Sequence, residues 1–162
     1  MIGNLRNILA KSILKTIFHA LVRSRINYLI VVWGRAADVH LHQIELFEKR
    51  YLKYIYGLPR LTSTVSVHSN CANDILPIKR LYRFDLCKLM NEEFRTITHR
   101  FETRGRSLFA APVIRIEYGR RDFAYFGPLI YNDLPLQLKN ILSASLSKKH
   151  LKNYFLIDDG FG

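Results

Sequence analysis

The stretch INYLIVVWGRAADVHLHQIELFEKRYLKYIYGLPR, residues 26–60, decides the fold. It opens on an apolar run, 26–33, that ends in the single tryptophan, Trp33. After a break at 34–38, residues 39–56 place Leu41, Ile44, Phe47, Tyr51, Leu52 and Ile55 at helical spacing. Such a stripe requires an apolar partner. Gly57 and Pro59 end the helix, since glycine accepts the left-handed turn of a helix C-terminus and proline cannot continue one. The run 26–33 suits a buried strand by its β-branched content, or a short helix; helical neighbours on both sides favour the helix.

The partner lies upstream. In residues 4–24, Leu5, Ile8, Leu9, Ile13, Leu14, Ile17, Phe18 and Leu21 form a wide apolar stripe at helical spacing. Lys11, Lys15, His19 and Arg23 fall four apart, on one inclined ridge. No acidic residue occurs before Asp38, whereas Arg6, Lys11, Lys15, Arg23, Arg25 and Arg35 all do. A basic ridge with no compensating acid is not built for ion pairs within its helix, and reads as phosphate-facing; an ordinary solvated face is the alternative. Further on, Lys49, Arg50 and Lys53 alternate with Tyr51, Tyr54 and Tyr56, a mixture that suits backbone contact plus stacking. The same tyrosines can also serve as core bodies with wet hydroxyls.

Thr62-Ser63-Thr64 offers caps for a short helix over 64–72, and Asn73-Asp74 a turn. Pro77 suits the first position of a helix over 77–95, with Ile78, Leu81, Tyr82, Leu86, Leu89 and Met90 inward. Residues 96–106 show no periodicity and mark a boundary, dividing the chain into 1–98 and 99–162. Beyond it, 107–118 and 121–126 favour extended structure around Gly119 and predict a β-hairpin. Short helices are expected from Gly127-Pro128 to Tyr131, over 135–141, and over 146–156. The fold class expected is therefore mainly α, a helical bundle followed by a small hairpin-and-helix (α+β) appendage.

The totals narrow the function. An apolar content of 49% in 162 residues supports a packed core and excludes a disordered chain. A formal net charge of +12 repels itself and usually matches a polyanion. Arginine outnumbers lysine fifteen to ten, which favours nucleic acid, because the guanidinium fork fits phosphate oxygens and stacks on bases. Two cysteines, Cys71 and Cys87, predict a reduced, intracellular chain, in nucleus or cytoplasm. No apolar span is long enough to cross a bilayer, and the first residues lack the pattern of a secretory signal.

Catalytic chemistry finds little footing. The glycines are isolated, with no phosphate-cradling loop after a strand. His40 and His42 point about 200° apart on a helix and cannot share a metal. His68-x-x-Cys71 is half of a zinc knuckle; Cys87 and His99 stand at the wrong distance to complete it. Asp158-Asp159 resembles the magnesium-holding pairs of polymerases but follows a terminal helix and reads as a solvated tail. No cofactor, metal site or enzymatic activity is expected.

Taken in order, these blocks resemble the C-terminal, post-palm region of non-LTR (LINE-type, jockey-like) retrotransposon reverse transcriptases. The resemblance runs through Ile17–Val22, Asn27-Tyr28 and Trp33-Gly34, then Ile44–Gly57 with Phe47-Glu48-Lys49-Arg50. It continues through Thr64–Val67 and Ile75–Tyr82, and closes on Arg115, Gly119-Arg120, Gly127-Pro128, Asn132, Leu134-Pro135, Lys148-Lys149 and Tyr154. It spans nearly the whole chain and omits the catalytic palm, the fingers and any endonuclease. It implies a thumb-like helical region that grips RNA or RNA–DNA template-primer behind an active site, with a palm in trans as a second partner. The residues expected at phosphate are Lys11, Lys15, Arg23, Arg25, Lys49, Arg50, Lys53, Arg60, Arg104, Arg106, Arg120 and Arg121, with Tyr54 as a stacking platform. The alternative is a helical protein-interaction module, or a decayed reading frame without activity of its own.

Overall fold

A computed structural model describes residues 8–63, 67–68, 75–93, 109, 111–139, 141 and 144–157. All regular structure among these residues is helical. The chain forms two compact units, Met1–Ile78 and Lys79–Gly162.

In the first unit, α1 (Lys11–Phe18), a π-helical turn (His19–Arg23) and α2 (Ser24–Asn27) follow one another without a break. They bury Leu14, Phe18, Val22 and Ile26, a strict four-residue series. On a regular α-helix that spacing drifts by about 40° per step. The wider π turn takes up the drift, so the series stays on one buried side.

The path then breaks at Leu29, which sits in the left-handed region at φ 51° and ψ 30°. The short α3 (Ile30–Trp33) restarts beyond it, and the Trp33 indole Nε1–H donates to the Tyr28 carbonyl across the break, at 2.8 Å. The run 26–33 is thus helical in two pieces. Left-handed backbone costs a branched residue about 1–2 kcal/mol, and glycine relieves it at the cost of a floppier unfolded chain. Leu29→Gly is therefore expected to raise stability by about 0.5–1 kcal/mol in urea denaturation.

Helix α4 (Asp38–Tyr56) begins with Asp38 in its first turn, where a carboxylate complements the helix dipole. It buries Leu41, Leu52 and Ile55, and α1 packs on it. Its end is a left-handed glycine cap: Gly57 lies at φ 72°, its N–H donates to Tyr54 O at 3.3 Å, and Leu58 N–H donates to Lys53 O at 3.0 Å. Most of the helix expected over 64–72 and the turn at Asn73-Asp74 lie outside the described residues, but Val67 and His68 are helical and Val67 is fully buried.

The second unit contains most of α5 (Ile78–Glu93), which buries Leu81, Tyr82, Phe84, Leu86, Cys87 and Met90. The division between units falls after the first residue of this helix, upstream of the 98/99 boundary read from the sequence. Residues 94–108 lie outside the described residues.

Among the described residues the β-hairpin is not found. Residues 111–116 have no regular structure, Glu117–Arg121 is a single 3-10 turn, and 123–126 open a helix, α6 (Phe123–Asp133). Asp122 caps that helix, its Oδ1 accepting from Ala124 N–H at 2.9 Å. The side-chain amide of Asn132 meets both backbone groups of Phe109, accepting from its N–H and donating to its carbonyl at 2.8 Å each. A side chain thus satisfies the backbone groups at Phe109 that a paired strand would have met.

Helix α6 starts well before Gly127-Pro128, and both of those residues are buried. A Cβ on Gly127 would stand 2.8 Å from Met90 Sδ and 3.6 Å from Leu86 Cδ1, so the missing side chain is what lets α5 and α6 approach. Gly127→Val is expected to cost about 1–3 kcal/mol through overpacking, measurable as a lowered urea midpoint. The short α7 (Leu136–Lys139) and α8 (Ala144–Ile157) complete the unit. Arg80 of α5 donates to the Phe155 and Leu156 carbonyls at 3.4 and 3.2 Å, satisfying orphan acceptors at the end of α8. Asp158-Asp159 lies outside the described residues.

Candidate nucleic-acid interface

The C-terminal turn of α4 gathers positive charge. Lys11 and Lys15, one turn apart on α1, both reach the Tyr56 ring, with Nζ at 4.2 and 5.4 Å from its centroid. Cations over a tyrosine face are held by the ring quadrupole. Lys53 lies one turn back on α4, and its ammonium donates to the carbonyls of Arg60 and Thr62 at 3.1 and 2.5 Å. Those two bonds fold the chain after Gly57 back along the helix and bring Arg60 to the same end. Arg60 and Lys11 are exposed; Lys15 and Lys53 are half-buried.

The described acids of this unit are held elsewhere. Asp38 sits at the opposite end of α4, about 27 Å away for nineteen residues at helical rise. Glu45 lies 3.9 Å from Lys49. Glu48 is fully buried against Arg23.

That last pair changes the role expected of Arg23. It is 6% exposed, pairs with Glu48 through Nη1 and donates through Nη2 to the Leu76 carbonyl at 2.6 Å. It is an internal crosslink and not a phosphate contact. The four-residue ridge gave no warning, because Lys11 and His19 on the same ridge are exposed. What covers Arg23 comes from α4 and from residue 76, distant in sequence. Burial pushes the Glu48 carboxyl up to about 7, and the Arg23 guanidinium only partly opposes this.

Arg25 and Arg50 are exposed. Tyr54 is 50% exposed on the same face of α4 as Arg50, four residues apart. In the second unit Arg120 and Arg121 are exposed on the 3-10 turn, with Arg120 Nη1 3.3 Å from Glu117 Oε2. Arg104 and Arg106 lie outside the described residues. Tyr56 as the platform for two lysines was not assigned by sequence reasoning; its place in the basic-aromatic run was the available signal.

A groove of about 530 Å³ opens in the first unit between the π turn and α2 on one side and α4 on the other. Trp33, Phe47 and Tyr51 line it together with Leu21 and Ile44, and among the described residues Arg25 is its one charged lining residue. Phe47 and Tyr51 meet edge to face at 4.7 Å.

Elsewhere, burial raises the Cys87 thiol far above its usual range, so it stays protonated and inert. Among the described residues no three His, Cys, Asp or Glu side chains gather as a metal site, and no helix is long and apolar enough to cross a membrane. In comparisons with protein-family models, curated proteins and solved structures, the chain matched none.

Proposed function

We propose that this chain is a non-catalytic, sequence-nonspecific binder of RNA or RNA–DNA template-primer, with the thumb-like role of the post-palm region of a non-LTR retrotransposon reverse transcriptase. That role places it inside the cell, in the nucleus or cytoplasm. The observation that carries the reading is the cluster of Lys11, Lys15, Lys53 and Arg60 at the end of α4, set apart from the unit's described acids. Lys11 and Lys15, four apart on α1, bring two like charges to one Tyr56 ring, where they repel each other. A polyanion offsets that repulsion. The excess is shared between the units, with ten basic and four acidic residues in Met1–Ile78 and fifteen and nine in Lys79–Gly162. The order of family-like blocks along the chain supports the same role.

Phosphate contacts release counterions, so affinity for an RNA–DNA hybrid should fall steeply and linearly with log salt and vary little with sequence. A filter-binding titration from about 50 to 200 mM salt tests this; no binding at about 50 mM removes the proposal. One observation favours a second reading, a helical interaction module. Tyr28, Leu29 and Val32 are 73%, 56% and 70% exposed around the α2–α3 break, a small apolar face that a palm supplied in trans would cover.

A further inference from the structure

We infer that the groove between the π turn, α2 and α4 holds an unpaired nucleobase, so that the first unit takes single-stranded DNA or RNA as well as duplex backbone. This rests on the nucleic-acid reading above and adds a second mode of contact to it. The composition of the groove carries it. Three of its lining residues, Trp33, Phe47 and Tyr51, are aromatic. The Trp33 N–H is already given to the Tyr28 carbonyl, so the indole has no hydrogen-bonding group left for a ligand and offers only its ring. Phe47 remains 48% exposed, although it belongs to the apolar stripe of α4. Arg25 is exposed at the groove and, among the described residues, no acidic residue lines it, which suits an anionic or neutral occupant.

Aromatic faces beside one guanidinium match a base with its phosphate: the base stacks, and Arg25 meets the phosphate. The size agrees. A cavity of about 530 Å³ lies within the range of small-ligand sites, roughly 300–1,000 Å³. A stable protein partner would need a surface of about 20–30 residues a side, far beyond this lining.

Trp33 is the only tryptophan and reports directly on the groove. The experiment titrates the full chain with oligothymidylate and with a blunt duplex of the same length, following Trp33 fluorescence and the anisotropy of labelled nucleic acid. Oligothymidylate should quench Trp33, and the duplex should bind without quenching it. Phe47→Leu keeps the apolar bulk but removes the ring, and should weaken oligothymidylate roughly tenfold or more while leaving duplex affinity unchanged. Phe47→Tyr should restore binding; circular dichroism confirms that both variants fold. Oligothymidylate binding that leaves Trp33 unquenched and ignores Phe47→Leu would overturn the inference while the backbone-binding function stands. A Trp33 response to an acidic amphipathic peptide with none to oligothymidylate would overturn it in favour of a protein partner. Failure of both nucleic acids to bind at about 50 mM salt would remove the proposed function and this inference together.

Discussion

Arg23→Met is expected to destabilise the protein by about 3–5 kcal/mol at pH 8, because it leaves the Glu48 carboxyl buried without its counter-charge. The wild-type pair is itself expensive to bury. Glu48 Oε2 has no hydrogen-bond partner among the described residues, and burial outweighs the pull of Arg23 on the carboxyl. A carboxyl raised from its ordinary value of 4.5 to about 7 binds its proton more tightly in the folded chain than in the unfolded one. Its contribution to stability is therefore complete below pH 4.5 and is lost as pH rises through about 7. The loss amounts to about 3 kcal/mol at roughly 1.4 kcal/mol per pH unit.

Three consequences follow for urea melts run across that range. Wild-type stability should decline from pH 5 to 8. Glu48→Gln should flatten the decline and exceed wild type at pH 8, since the amide carbonyl can still accept from Arg23 without a buried negative charge. The double variant Arg23→Met with Glu48→Met should match or exceed wild type, as apolar replacements of buried ion pairs often do. If Arg23 contacted phosphate, the double variant would bind nucleic acid more weakly. An internal crosslink predicts unchanged affinity and unchanged salt dependence.

The second large effect concerns the end of α4. The triple variant Lys11→Gln, Lys15→Gln and Arg60→Gln is expected to weaken binding to an RNA–DNA hybrid by one to two orders of magnitude at about 50 mM salt. It should also flatten the plot of log affinity against log salt by about 2.7, at about 0.9 per lost phosphate contact. The slope is the decisive readout. A variant that lost affinity by misfolding would lower the active fraction and leave the slope of the remainder intact. Lys53 is kept in this design because its ammonium holds the Arg60 and Thr62 carbonyls, so its loss would disturb the loop as well as the charge.

Much of the helical frame is legible from local pattern. The burial of Leu41, Leu52 and Ile55 and the stop at Gly57 come from spacing and from one residue's backbone freedom, which are local properties. Among the described residues of 4–24, only Leu14 and Phe18 of the expected stripe are buried; Ile8, Ile13 and Leu21 are exposed, and the π turn brings Val22 and Ile26 to the buried side instead. The expected hairpin shows where local pattern fails. Residues 121–126 are apolar enough for a strand, but Asp122 is also a helix cap, and the cap prevails once α6 can bury Gly127 against Met90. A glycine and a proline in sequence look like an interruption; packed against α5 they permit a close contact.

The positive charge, the missing acids before Asp38 and the basic-aromatic run of α4 were determined by the sequence alone, since counts and spacing do not depend on packing. Which cations face solvent was decided only by tertiary structure. Arg23 and Lys15 share one ridge, yet one closes on Glu48 and Leu76 inside the unit and the other reaches the Tyr56 ring. The partner that makes the difference stands twenty-five residues away along the chain in the case of Glu48. Burial of a charge depends on what long-range folding brings beside it, and helical periodicity carries no record of that.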